Sequence, residues 1–223
     1  MTRRLAAIMI TDVVGYSRLS HVDEEGMRRR FQSDLHELFA PAIARYRGRL
    51  VKTMGDGLLI EFGSVVEAVR CAVDVQRAKA ESNVEVPADR RLVHRIGINL
   101  GDVIIEGGDI YGDGVNIAAR LEGLAEPGGI FVSRAVRDSV RDKLGLVLED
   151  LGEKPVKNIA RPVHVYAIGE VTGAPTAARP AASNPSRRWR ARSSSPQNAA
   201  ATYAVCRAAA SAAARRRRSR ASA

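Results

Sequence analysis

The chain has 223 residues, of which 45% are hydrophobic, which is enough for one domain of ordinary size with a real core plus an appendage. Its net charge of +10 is unevenly distributed, because residues 171–223 contain eleven arginines and no acidic residue. Subtracting those eleven charges leaves −1 on residues 1–170, so the charge gives no reason to expect nucleic acid binding by the folded domain.

The cysteine count and the apolar runs predict a cytoplasmic protein. The two cysteines, Cys71 and Cys206, offer neither a disulfide framework nor a metal-ligand spacing, which suits a reducing compartment. Asp12 interrupts the first apolar run early, which favours a strand over a signal peptide. No apolar run approaches the roughly 20 residues needed to cross a bilayer.

Hydrophobic periodicity divides residues 1–170 into strands and helices. In chain order it predicts a strand that ends at Asp12, a helix from Asp23 to Arg47 that Gly48 ends, a hairpin over 50–62 and a helix over 65–78. A loop over 82–90 and a strand over 91–103 follow, and then a helix from Tyr111 that stops at Pro127. The last predicted elements are a strand over 130–132, a short helix to Lys143, and a closing hairpin of 144–151 with 163–168. This order contains a ferredoxin-like β-α-β-β-α-β core with extra C-terminal strands. It predicts an α+β fold, with an antiparallel-rich sheet and helices on one face.

Two aspartates lie where strands end. Asp56 is at the tip of a Gly-Asp-Gly turn, and Asp12 follows a predicted central strand. Gly-Asp-Gly is also ordinary turn chemistry, but two such carboxylates with few other ligands nearby are typical of a Mg²⁺ site that substrate phosphates complete. The backbone amides from Val13 through Gly15 to Ser17 lead into the next helix and can cradle those phosphates.

Four separate signatures, in order, resemble the catalytic domain of class III adenylate and guanylate cyclases over roughly residues 3–169. They are ITDVVGY at 10–16, KTMGDG at 52–57, RIGIN at 95–99 followed by Gly101, and DIYGDGVNIAAR at 109–120. The resemblance implies a nucleotide cyclase fold for residues 1–170 and a cyclising enzyme.

The resemblance also assigns roles in catalysis. It implies that Asp12 and Asp56 bind two divalent cations, Mg²⁺ or Mn²⁺, at each site. It implies that Asn116 orients the ribose and that Arg120 stabilises charge on the α-phosphate in the transition state. The active unit is expected to be a homodimer with its sites between the subunits.

The base-selecting positions of the family fall on Lys52 and Asp109. A lysine donor and an aspartate acceptor match N1 and the 6-amino group of adenine, so ATP is expected over GTP as the substrate. Lys157 precedes Asn158, where the family commonly has Lys-Gly, and this lysine is expected to touch the triphosphate. A hairpin lysine that is only solvated remains the alternative.

Two alternative functions follow from the same fold. One is a catalytically silent cyclase-like domain that binds nucleotide and signals through a partner, although a silent domain has no chemical need for the full set of site residues. The other is a diguanylate cyclase, but the Met-Gly-Asp-Gly turn lacks the Gly-Gly-Asp/Glu-Glu-Phe loop of that family. The sequence identifies no regulatory partner.

Residues 171–223 are mostly Ala, Arg, Ser and Pro, which predicts a tail that is disordered, or partly helical in its Ala-rich stretch. One hypothesis is a basic arm that contacts an anionic membrane or a nucleic acid. The other is a GC-rich sequence read out of frame in place of a C-terminal module, and a comparison of reading frames would distinguish the two.

Overall fold

The computed structural model describes residues 2–155 and 162–169, so the predicted tail and Lys157 lie outside the described residues. The strands are β1 (Thr2–Val13), β2 (Gly48–Met54), β3 (Gly57–Phe62), β4 (His94–Glu106), β5 (Asp109–Tyr111), β6 (Ile130–Ser133), β7 (Leu148–Lys154) and β8 (Val163–Ile168). The α-helices are α1 (Tyr16–Ser20), α2 (Glu24–Ser33), α3 (Ala40–Arg45), α4 (Val65–Ser82), α5 (Asp113–Leu124) and α6 (Arg134–Val140). None of the helices in these two ranges has the length and hydrophobicity of a membrane-spanning segment.

The described strands form one eight-stranded sheet in the order β2-β3-β1-β4-β6-β8-β7, with β5 paired to β4. Its first four strands have the order and antiparallel pairing of a ferredoxin-like core, as predicted. The one parallel pair in this part of the chain is β4 with β6. The α+β nucleotide cyclase fold expected from the sequence is therefore confirmed.

Both faces of the sheet are covered. Alternate residues of a strand point to opposite faces, so Met9 packs against α4 while Ile8 and Ile10 pack with Ala118 of α5. Helices α2, α3, α4 and α6 share the first face, whereas α5 occupies the second. The expectation of helices on one face therefore holds for the ferredoxin-like core but not for α5.

The helix predicted from Asp23 to Arg47 differs from a uniform α-helix. A π-helical segment, Asp34–Phe39, separates α2 from α3. The helix ends at Arg45, and the residue with a positive φ that follows it is Arg47, at 54°, rather than Gly48. Asp34 in this segment accepts a hydrogen bond from Lys79 Nζ at 2.8 Å and lies 3.3 Å from His94 Nε2. Lys79 and His94 are both buried, so tertiary contacts replace the simple helical repeat here.

Candidate active site

The Gly-Asp-Gly turn is a two-residue connection between β2 and β3, closed by Met54 opposite Gly57. Gly55 has a φ of 68°, which suits the first position of a type II′ turn. Gly57 is needed for a different reason, because a Cβ there would lie 2.7 Å from Thr11 O. The hairpin therefore packs directly against the end of β1, where Asp12 lies.

Asp12 and Asp56 form a carboxylate pair at this end of the sheet. A Cβ on Gly57, the residue after Asp56, would be 3.6 Å from Asp12 Oδ1. Burial, and then the negative charge of Asp12, raise the pKa of Asp56. A bound cation would stabilise two negative charges held this close together.

Arg95 and Glu122 extend the carboxylate pair, and sequence reasoning assigned neither of them a role. The register places Arg95 opposite Asp12, and Arg95 Nη2 donates to Asp12 Oδ2 at 3.0 Å. Arg95 Nε lies 3.1 Å from Glu122 Oε1, an ion-pair contact without hydrogen-bond alignment. Glu122 is only 9% exposed, and burial raises its pKa to about 7.

Gly97 explains why α5 reaches this site. A Cβ at Gly97 would lie 2.2 Å from Glu122 N and 2.3 Å from Ala118 O, so only glycine lets α5 lie directly on β4. Asn99 fixes the other end of the contact by donating to Gly114 O at 3.0 Å. The RIGIN signature is thus the surface on which α5 packs.

The carboxylate pair suits Mg²⁺ or Mn²⁺ that is shared with a substrate. Carboxylate oxygens are the ligands these ions prefer, and one or two carboxylates suffice where phosphates and water supply the rest. Across residues 2–155 and 162–169, no group of three or more His, Cys, Asp or Glu side chains is arranged to hold a metal by itself. A pair of carboxylates is the ligand set of a metal site that substrate phosphates and water complete.

Lys52 and Asp109 also meet, although they are 57 residues apart. Lys52 Nζ lies 2.6 Å from Asp109 Oδ2 and 5.5 Å from the centre of the Tyr111 ring. This hydrogen bond lowers the pKa of Asp109 and raises that of Lys52. The Asp109 carboxylate also accepts from the Ile110 N–H at 2.8 Å, which fixes its orientation.

A β-bulge in β2 brings Lys52 to this partner. The register passes from Leu50 opposite Ile60 to Lys52 opposite Leu59, so one extra residue, Val51, is accommodated between them. Without the bulge, strand alternation would leave Lys52 on the same face as Leu50. With it, Lys52 shares the face of Leu59, which is the face of β5 and α5.

Asn116 and Arg120 lie on the outer surface of α5. At 100° per residue, each is about 160° around the helix axis from buried Ala118. Both are exposed, and neither side chain forms a hydrogen bond or ion pair with another residue that the structure describes. Glu122, by contrast, is about 40° from Ala118 and faces Arg95.

Some of the backbone amides from Val13 to Ser17, which were predicted to bind phosphate, already have a hydrogen-bond partner within the protein. Val13 belongs to β1, and the Val14 N–H already donates to Val93 O at 2.8 Å. Gly15 has a φ of 67° and precedes α1, whose first amides have no partner within the helix. Phosphate binding by Val13 and Gly15 stays a prediction, and Lys157 is outside the described residues.

The family model of the adenylate and guanylate cyclase catalytic domain matches residues 3–170, and the chain therefore belongs to that family. The chain is 46% identical over 164 residues to a protein of Rhizobium meliloti named "Putative adenylate cyclase 3". That alignment covers 74% of this chain but only 28% of the relative.

Solved structures agree with the family. A crystal structure of an adenylate/guanylate cyclase/hydrolase from Silicibacter pomeroyi matches with a TM-score of 0.72 and 44% identity, over 75% of this chain and 97% of that one. The guanylyl cyclase Cya2 matches with a TM-score of 0.65 and 25% identity, over 75% of this chain and 92% of that one. The neighbours therefore include enzymes named for either nucleotide.

Proposed function

We propose that the chain is an adenylate cyclase, which converts ATP to 3′,5′-cyclic AMP and pyrophosphate in sites formed between the subunits of a homodimer. Membership of the cyclase family supports the class of reaction. The observation that carries the choice of ATP is the contact of Lys52 with Asp109, which we call the base-reading pair. Its donor and acceptor match N1 and the 6-amino group of adenine, whereas guanine needs the opposite pattern.

Each residue of the site has its own role in the proposed reaction. Two Mg²⁺ or Mn²⁺ ions bound by Asp12 and Asp56 would lower the pKa of the ribose 3′-hydroxyl and neutralise charge on the β- and γ-phosphates. The base-reading pair binds the adenine edge, and Asn116 orients the ribose. Arg120 stabilises the charge on the α-phosphate as the 3′-oxygen attacks and pyrophosphate leaves.

The geometry of α5 supports a site shared between two copies. The helix carries Glu122 towards Arg95 and Asp12, but it carries Asn116 and Arg120 on its opposite side. The side chains of Asn116 and Arg120 therefore point away from the Asp12–Asp56 carboxylate pair of their own chain. In a two-fold dimer, the outer surface of one α5 can face the carboxylate pair of the other copy, and two equivalent sites then form together.

Two other functions are compatible with the same fold. A guanylate cyclase is favoured by neighbours such as Cya2, and a silent nucleotide-binding domain would share the fold. The exposed Asn116 and Arg120 support an active enzyme, because a silent domain has no chemical need for an arginine that forms no ion pair among the described residues.

The test is to incubate the purified chain with ATP or GTP and with Mg²⁺ or Mn²⁺, and to identify the cyclic product by chromatography. We expect 3′,5′-cyclic AMP and pyrophosphate in equal amounts, and no product from an Asp56→Asn control, which has the same side-chain size without the charge. Nucleotide binding without any cyclic product would support the silent domain instead. Faster formation of cyclic GMP would contradict the assignment of the base-reading pair.

A further inference from the structure

Glu61 is a buried carboxylate that ties together the first three strands of the sheet. It lies on β3 and is 3% exposed. Its Oε2 atom accepts from Arg49 Nη2 at 2.6 Å and from Arg49 Nε at 3.1 Å, while Oε1 pairs with Arg4 of β1. A buried charge of this kind needs cations, and Glu61 binds the Arg49 guanidinium through two nitrogens although the Arg49 side chain is 46% exposed.

Arg49 has a third contact, to a different part of the chain. Its Nη1 donates to Gly108 O at 2.8 Å. Gly107 and Gly108 form the two-residue turn between β4 and β5, with φ values of 59° and 84° that fit a type I′ hairpin. The next residue is Asp109, so Arg49 binds the turn that places Asp109 next to Lys52.

The turn has few other attachments. Strand β5 is only three residues long, and a Cβ built at either glycine of the turn would meet no atom within 4 Å. Four contacts fix Asp109. They are its pairing with Glu106, the bond from the Ile110 N–H to its carboxylate, its bond to Lys52, and the bond from Arg49 to the preceding carbonyl.

We propose that Arg49, held by Glu61, is a positioning residue for base selection: it keeps Asp109 beside Lys52 by donating a hydrogen bond to the Gly108 carbonyl. The inference rests on the proposed function, in which Lys52 and Asp109 read adenine. Arg49 itself touches no substrate. Only the planar fork of arginine can bind a carboxylate through two nitrogens and still donate a third N–H to a carbonyl.

The test uses Arg49→Met, which keeps most of the aliphatic stem and removes every donor, and Arg49→Lys, which keeps a charge beside Glu61. The lysine has a single nitrogen, which cannot reproduce the three contacts of the fork. Arg45→Met is the matched control, because Arg45 is 74% exposed and its ion-pair contact is with Asp74 at 3.7 Å. The dissociation constants of fluorescent ATP and GTP analogues are measured beside kcat and KM for both nucleotides, with thermal melting as a check on folding.

We expect Arg49→Met to reduce the preference for ATP over GTP by about fivefold, the usual effect of one lost hydrogen bond. The change should lie in KM and in the dissociation constants, with kcat nearly unchanged. Arg49→Lys should lose part of the preference, and Arg45→Met should keep all of it.

Three results would overturn the inference. They are an unchanged preference in both folded Arg49 variants, an equal loss for ATP and GTP, and a wild-type protein that binds the two nucleotides equally well. The last of these would also remove the basis for ATP in the proposed function. A wild type that prefers ATP in binding but forms no cyclic product would contradict the proposed activity alone, and the binding constants of the variants would still decide the role of Arg49.

Discussion

Replacing Glu122 by glutamine should stabilise the protein above neutral pH, and the size of the effect follows from its burial. The pKa of this carboxyl rises from 4.5 to about 7 on folding. At 1.36 kcal/mol per pH unit, this difference amounts to about 3 kcal/mol of lost stability once the group is ionised in both states. Glutamine has nearly the same shape and carries no charge, so it removes the cost.

The sign of the pH dependence is fixed by which state binds the proton. Between pH 4.5 and about 7, folded Glu122 is protonated while the unfolded chain has lost the proton. The free energy of unfolding of the wild type should therefore fall as the pH rises through this window. Glu122→Gln should match the wild type near pH 4.5 and exceed it by about 3 kcal/mol at pH 8.

The assay is urea unfolding followed by circular dichroism at pH 5, 6, 7 and 8, in EDTA so that no divalent cation binds the neighbouring aspartates. Glu126→Gln is the matched control, because Glu126 is an exposed carboxylate just after α5. If the stability curves of Glu122→Gln and the wild type run parallel over this range, Glu122 is ionised at ordinary pH in the folded state, and the reasoning from burial fails.

Three further predictions concern the base, the cations and the core. The double variant Lys52→Glu with Asp109→Cys should lower kcat/KM for ATP by about one to two decades for each of the two contacts, since each opposed base contact costs about 1–3 kcal/mol, and it should admit GTP. An unchanged ATP preference would show that other groups read the base. Asp12→Ala and Asp56→Ala should each abolish cyclisation and weaken Mn²⁺ binding, measured by electron paramagnetic resonance, while circular dichroism shows that the fold stays intact. Near-normal activity of either variant at saturating Mn²⁺ would contradict the metal assignment. Lys79→Met should lower the free energy of unfolding by about 2–3 kcal/mol in urea titrations, because it removes the lysine from the half-buried Asp34 carboxylate and leaves that carboxylate only its contact with His94. A loss below about 1 kcal/mol would contradict this.

Local sequence patterns predicted the elements that carry the site. Glycine on each side of Asp56 predicted the hairpin, and an apolar run before Asp12 predicted a strand end. Spacing along α5 was enough to place Asn116 and Arg120 on one side of that helix. These features depend on residues close together in the sequence, where turn chemistry and periodicity act.

The features that the sequence did not predict depend on long-range pairing. Arg95 meets Asp12 only because β1 and β4 pair in one particular register, 83 residues apart. The bulge before Lys52 and the position of α5 on the second face likewise follow from packing against other strands. A short run such as Asp109–Tyr111 has no strand signal of its own and pairs only because the Gly107-Gly108 turn returns it to β4.

The most direct test of the account is complementation between Asp56→Ala and Arg120→Ala. Each variant alone should be inactive, because every shared site of either homodimer lacks one essential group. In a 1:1 mixture with free subunit exchange, half of the dimers are mixed and each has one intact site of two, so roughly a quarter of the wild-type cyclic AMP synthesis should return. No recovery, despite mixed dimers demonstrated by differently tagged subunits, would mean that each chain builds its own complete site.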